Sequence, residues 1–210
     1  MPGAPMQGYI LNIVKVKEED LIVTLLTQKR LKTLYRFYGA RHANIHMGYK
    51  IDFEEQFSPK STISMLRNVL HLSSPWIINP KKFYIWQQFI KLLYQHLRDI
   101  EEVDTFYFEL LDELNYKFAK QNTKRSIVEA YIKILAYEGR LHDDFHCFIC
   151  DGEIENDLIL TRGFLPAHQR CLFGAILDKS KIEILFATQK TLFLSDEEVD
   201  FLWRIIEEGL

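Results

Sequence analysis

No run of 18 consecutive apolar residues occurs in this 210-residue chain, and its start lacks a charged segment followed by an apolar one. Neither a membrane span nor a secretory signal is expected, which leaves the cytoplasm as the expected location. Cysteine is scarce. The three present are an odd number confined to one stretch, which fits a reducing compartment better than a disulfide framework. Catalytic signatures are missing as well: there is no nucleophile elbow, P-loop, H-E-x-x-H helix or nucleotide-binding glycine fingerprint. A zinc deaminase would need H-x-E followed by P-C-x-x-C, yet His146 stands directly before Cys147. The chain is not expected to be an enzyme.

The three cysteines carry a pattern. Cys147 and Cys150 form C-x2-C, and His168 with Cys171 forms H-x2-C, with a loop between them long enough to bring both ends together. Three thiolates and one imidazole suit a closed, tetrahedral, structural Zn2+ site, whereas a catalytic zinc keeps a position open for water. Buried cysteines also serve as small core residues, and Cys147-Phe148-Ile149-Cys150 would fit there, but the coincidence of both spacings favours metal. His142 and His146, just upstream, are alternative donors to His168.

A hydrophobic content of 48% supports a substantial core in one large or two small domains. The net charge of −3 conceals an asymmetry: residues 1–80 carry 10 Lys and Arg against 6 Asp and Glu, and residues 81–210 carry 16 against 23. The two parts are expected to face different partners.

Residues 1–7 read as a disordered leader. From Tyr9 the pattern is that of short strands: Tyr9 to Val16, a charged turn at Lys17–Asp20, then Leu21 to Leu26 as the second arm of a hairpin. Leu31 to Tyr38 alternates, with Leu31, Thr33, Tyr35 and Phe37 assigned to the apolar face and Lys32, Leu34, Arg36 and Tyr38 to a basic, aromatic one. Tyr49 to Glu54 gives a fourth strand and Thr62 to Leu72 a fifth, although Ile63, Leu66 and Leu70 also fit a helix. Five short strands suggest an oligonucleotide-binding (OB) barrel over residues 8–79, closed by the proline-punctuated linker Ser73–Pro80.

Residues 80–210 change to helical period. Phe83, Trp86, Ile90, Leu93 and Leu97 form one stripe, and Phe106, Leu110, Leu114 and Phe118 a second. A third helix runs from Lys124 to Glu138, with Thr123 as N-cap and Gly139 ending it. The Cys/His insertion spans about 142–172 in this reading. Ser195-Asp196-Glu197-Glu198 matches a capping box opening a last helix. The fold class is thus α+β.

No acidic residue lies between Asp20 and Asp52, an interval holding Lys29, Arg30, Lys32, Arg36, Arg41 and Lys50 among Tyr35, Phe37 and Tyr38. Basic side chains neutralise phosphates, and aromatic faces stack unpaired bases. Lys29, Arg30, Lys32, Arg36 and Arg41 are the candidate phosphate contacts, and Tyr38 is the stacking candidate because Tyr35 and Phe37 are assigned to the core.

Taken with Gly8-Tyr9-Ile10-Leu11, Glu19 to Thr27, Gly39-Ala40-Arg41-His42, and Ala130 to Gly139 followed by Cys147-Phe148-Ile149-Cys150-Asp151-Gly152, the chain resembles the RecO family of bacterial recombination mediators. The resemblance implies an N-terminal OB barrel, a helical domain and a zinc-finger-like insertion in which His168 replaces a usual cysteine. It also implies binding of single- and double-stranded DNA, strand annealing, and action with RecR to load RecA onto DNA coated by single-stranded DNA-binding protein, on the nucleoid. A zinc-stapled protein-interaction adaptor without direct DNA binding is the competing reading. A metal-dependent hydrolase, which would need an open metal position, is a weaker one.

Overall fold

The computed structural model describes residues 5–41, 44–57, 59 and 61–210. It divides into two compact units, Met1–Ala119 and Lys120–Leu210.

Unit one is built on five strands: β1 (Met6–Lys15), β2 (Leu21–Leu26), β3 (Leu31–Arg36), β4 (Lys50–Gln56) and β5 (Met65–His71). They close in the order β1-β2-β3-β5-β4, with all neighbours antiparallel except β3 and β5, which run parallel. Closure removes the free sheet edges that would otherwise template aggregation. Ile10, Val23, Leu25, Leu34, Ile51 and Phe53 fill the interior. The segment that fitted both helix and strand is β5, because its backbone completes the ladder of β4. The expected disordered leader is corrected at its end: Met6 and Gln7 pair with Phe53 and Asp52, so they belong to β1. Residues 1–4 lie outside the described residues.

Two helices pack against this barrel, α1 (Pro80–Leu97) and α2 (Thr105–Lys120). The Asn79 side chain caps α1 by accepting from the backbone of Lys81 and Lys82, and Pro80 takes the first helical turn, where its missing N–H costs nothing. Tyr9, Ile10 and Leu11 are all buried because β1 faces the barrel interior on one side and the helices on the other. The Tyr9 ring lies 6.0 Å from Trp86 and 5.6 Å from Phe108. Gly48 sits at φ +91, where a Cβ would come within 2.6 Å of the Trp86 ring, and the Trp86 indole donates to its carbonyl at 2.8 Å.

The compact unit ends after Ala119 rather than in the linker Ser73–Pro80. The linker does not separate domains because it is itself packed: the Trp76 indole donates to Asn115 of α2, and its ring lies 5.0 Å from Phe118.

Unit two contains α3 (Thr123–Tyr137), the hairpin β6 (Ile159–Thr161) and β7 (Leu165–Ala167), α4 (Lys179–Thr188) and α5 (Asp196–Glu207). The cap of α3 is Asn122, not Thr123, since the Asn122 carboxamide accepts from Lys124 and Arg125. Gly139 does end that helix in a left-handed conformation, φ +66. The capping box of α5 forms as expected: Glu198 donates its N–H to the Ser195 hydroxyl, and Ser195 donates its N–H to the Glu198 carboxylate. Helix α4 was not anticipated; Asp178 caps it.

Candidate nucleic-acid face and metal centre

The phase of β3 decides which of its side chains meet solvent. Leu34 lies opposite Val23, and by the same register Lys32 lies opposite Leu25 and Arg36 opposite Leu21. Those three β2 residues line the barrel interior, so Lys32, Leu34 and Arg36 share the inward face. This reverses the assignment from alternation. Leu34 is the buried residue, while Thr33 and Phe37 are exposed. The reason is positional: Lys32 and Arg36 sit near the two open ends of the barrel, where their stems cover the core and their charged ends reach outward.

The six candidate contacts fall into two groups. Lys29 and Arg30 stand in the turn before β3, closed by hydrogen bonds from the Thr27 backbone and hydroxyl to the Arg30 carbonyl. With Lys32 they lie toward one end of the strand. Arg36, Tyr38 and Arg41 lie toward the other. Between the groups β3 meets β5 at one bridge, Tyr35 to Met65, supported by a Tyr35 N–H to Ser64 carbonyl bond of 2.9 Å.

A cleft of about 720 Å³ opens on the first side of this seam, lined by Arg30, Lys32, Arg98, Glu55, Glu101 and Glu102 among others. Its charges are matched. Lys32 contacts Glu55 at 2.6 Å and Arg30 contacts Glu102 at 3.4 Å. The strip without acidic residues is therefore not without acidic neighbours, because the fold imports carboxylates from β4 and from the α1–α2 connection. Arg41 similarly pairs with Glu19 and lies over the Tyr38 ring. Lys50, another member of the strip, is drawn away from the face: it contacts Asp112 at 2.6 Å and lies over the rings of Tyr9 and Phe108.

The second side of the seam holds a groove of about 390 Å³ lined by Arg36, Phe37, Tyr38, Met65, Leu66 and Arg67. Arg36 donates to the Leu66 carbonyl at 3.0 Å, and burial together with the nearby Arg67 charge holds its guanidinium below its ordinary pKa. Tyr38 is 59% exposed with φ +52, held there by its N–H bond to Asp20 at 2.8 Å. Sequence reasoning missed Arg67 and Arg98, which lie far from the basic strip in the chain; only the pairing of β5 with β3 and the end of α1 bring them to this face. His42 lies outside the described residues.

In unit two, Cys147, Cys150, His168 and Cys171 converge with their donor atoms all within 4.8 Å of one another. The alternative donors His142 and His146 are not part of that group; the His146 Nδ1 instead lies 3.6 Å from an Asp144 carboxylate oxygen. The first pair is shaped by a turn in which Asp151 donates its N–H to the Cys147 carbonyl and Cys147 donates to the Gly152 carbonyl. Asp151 is left-handed in that turn, φ +58. The β6–β7 hairpin delivers His168 directly after Ala167, and a second tight turn from the His168 carbonyl to the Cys171 and Leu172 N–H groups places the last thiol.

The imidazole is oriented for ligation. Its Nδ1 faces Cys150 Sγ at 3.4 Å and Cys171 Sγ at 4.0 Å, and Nε2 lies 3.0 Å from the Glu153 carbonyl. Donation from Nε2 to that carbonyl leaves Nδ1 with a lone pair directed at the thiols, the arrangement that fixes the tautomer of metal-ligating histidines. Burial of Cys147 opposes its ionisation, but N–H groups of His168, Cys150 and Ile149 outweigh it and bring the thiol down to about 6. The Gly152 N–H likewise lowers Cys150. Three soft sulfurs and one nitrogen, all within 4.8 Å of one another, can hold a metal ion as four protein ligands.

The family model described as RecO N terminal matches residues 6–77, from the first residue of β1 through the turn that precedes α1. No curated protein matches the chain.

Proposed function

We propose, from the match of residues 6–77 to the family model described as RecO N terminal, that this chain is a recombination mediator that binds single- and double-stranded DNA along β3. The observation that carries this reading is the arrangement around the β3–β5 seam: basic side chains on both sides, with Phe37 and Tyr38 exposed beside them. The phosphates would be held by Lys29, Arg30, Lys32, Arg36 and Arg41, and an unpaired base would stack on Tyr38.

Contacts of this kind neutralise the backbone and read little of the bases. That is what annealing requires, since any two complementary strands must be accepted. The ion pairs of Arg30 and Arg41 are compatible with phosphate contact because exposed pairs of this kind are weak, about 0–1 kcal/mol, and phosphate can replace the carboxylate, whereas Lys32 and Glu55 form a partly buried pair that phosphate would have to displace. If about three to five basic residues engage single-stranded DNA, log affinity falls against log salt with a slope of roughly −2 to −3.5.

Zinc is the proposed ion of the Cys147, Cys150, His168 and Cys171 set. Its role would be to fold the insertion, and no chemical step is assigned to it. RecR, the single-stranded DNA-binding protein and, functionally, RecA are the proposed partners, with the cytoplasmic nucleoid as the place of action. Among the described residues no helix is long and apolar enough to cross a membrane. Exposed apolar side chains in unit two, including Phe173, Leu192 and Phe193, favour protein contacts there. The same residues keep the adaptor reading in view.

The test is fluorescence anisotropy of a labelled single-stranded oligonucleotide over a salt series, comparing wild type with a Lys29→Glu, Arg30→Glu variant. Both side chains are exposed, so the fold should be unaffected. Salt-sensitive binding that weakens in the variant is the expected result; absence of binding even at low salt would favour the adaptor.

A further inference from the structure

Phe37 is a wall between two different cavities. On one side is the groove of about 390 Å³ that holds Arg36 and Arg67. On the other is a cleft of about 470 Å³ lined by Val16, Ile22, Ile63 and Met65, with Lys17 and Ser61 at its margin. Tyr35, Phe37 and Met65 line both.

The two cavities differ chemically. Among the described residues lining the first there are two guanidiniums and no carboxylate; the Asp20 carboxylate at its border is engaged by the Tyr35 hydroxyl and the Tyr38 N–H. Among the described residues the buried Nε of Arg36 has no hydrogen-bond partner, and the Arg67 Nε donates to the neutral Gln56 carboxamide at 2.9 Å. Glu54, opposite Arg67 in the strand register, is engaged by Asn68 at 2.8 Å. Two like charges held near each other raise the energy of the empty groove, and an anion between them lowers it. The second cavity is apolar and open, with aromatic and β-branched walls suited to the flat face of a base but with few directional groups to select among bases.

We infer that this pair of cavities is a single-nucleotide anchoring subsite, in which Arg36 and Arg67 clamp one backbone phosphate of a single strand and the adjoining base passes over Phe37 into the apolar cleft. The inference rests on the DNA-binding reading above and adds Arg67 and Phe37 to the contacts. It also divides their labour: Arg67 supplies a salt-sensitive contact, and Phe37 a salt-insensitive one.

The experiment uses the full chain and a fluorescein-labelled oligothymidylate, read by anisotropy from low to high salt. Arg67 is the lead variant because it is exposed and, unlike Arg36, holds no backbone carbonyl. Arg67→Gln should weaken binding about fivefold at ~0.1 M salt and flatten the log–log slope by about 0.7, one phosphate contact for a single strand. Arg67→Lys should restore most of the slope. Phe37→Ala should weaken binding about tenfold with the slope unchanged, the signature of a lost stacking contact. If wild type binds with the expected salt dependence, loses it in Lys29→Glu, Arg30→Glu, and both Arg67→Gln and Phe37→Ala bind as wild type, the subsite is overturned and the DNA-binding reading stands. If wild type shows no salt-sensitive binding, both fall together.

Discussion

Arg30 faces Glu102 across 72 residues of chain, with a guanidinium nitrogen 3.4 Å from a carboxylate oxygen. The contact is not a chance meeting of flexible side chains. The two residues form a β-bridge, flanked by the Leu31 N–H on the Glu101 carbonyl and the Val103 N–H on the Lys29 carbonyl. The α1–α2 connection thus lies beside the start of β3 like an added strand and places a carboxylate against the Arg30 guanidinium.

Removing that carboxylate should strengthen DNA binding. Both side chains are largely exposed, so the pair contributes at most about 1 kcal/mol, and Glu102→Gln should raise affinity for an oligonucleotide up to about fivefold at low salt. Anisotropy titration checks this; unchanged affinity would mean that Arg30 does not contact the strand.

The metal set predicts a local collapse. Purified without chelator, the protein should carry about one equivalent of zinc by elemental analysis, since zinc can supply on the order of 10 kcal/mol toward local folding. Cys150→Ser should abolish retention and make the Cys147–Cys171 segment protease-sensitive while the barrel keeps its β-sheet circular dichroism. Metal-free protein with an undisturbed insertion would refute the assignment.

Asp112 is a stability prediction. Its carboxylate accepts from the Tyr9 hydroxyl and from Lys50, each at 2.6 Å. Burial, then the Asp112 hydrogen bond, pushes the Tyr9 phenol far above its ordinary value. Asp112→Ala strands a buried hydroxyl and a partly buried ammonium, so unit one should lose about 2–4 kcal/mol in urea denaturation, whereas Asp112→Asn keeps an acceptor and should lose less.

Asp20 sets an acid limit. It accepts from the Tyr35 hydroxyl at 2.6 Å and the Tyr38 N–H at 2.8 Å, and these bonds hold its carboxyl below the usual aspartate value. A depressed folded pKa means that the stabilisation is present above the unfolded pKa of about 3.9 and is lost as pH falls toward the folded value. Stability against pH should therefore drop below about pH 4 in wild type, and Asp20→Asn should reduce this component of the drop while loosening the turn that presents Tyr38.

Much of the framework was legible because it depends on local chemistry. The alternation of short apolar segments, the Ser195–Glu198 capping box and the glycine stop at Gly139 act within a few residues and appear as expected. Alternation alone left the phase of β3 wrong. Its two faces looked equally plausible in isolation, and only the pairing of Leu34 with Val23 on the adjacent strand shows which one the core takes.

By itself the sequence determined the first four strands of the barrel, the helical periodicity beyond Pro80 and a three-cysteine metal pattern, because each follows from side-chain spacing or residue chemistry; the fifth strand and the choice of His168 over His142 and His146 came from the structure. Only the tertiary structure decided which basic residues are paired, which aromatic residues meet solvent and where Arg67 and Arg98 lie. Charge neutralisation acts through space: Glu102 reaches Arg30, Glu55 reaches Lys32 and Asp112 takes Lys50 from the face. Those distances are set by how the strands and helices close on one another, and no spacing along the chain encodes them directly.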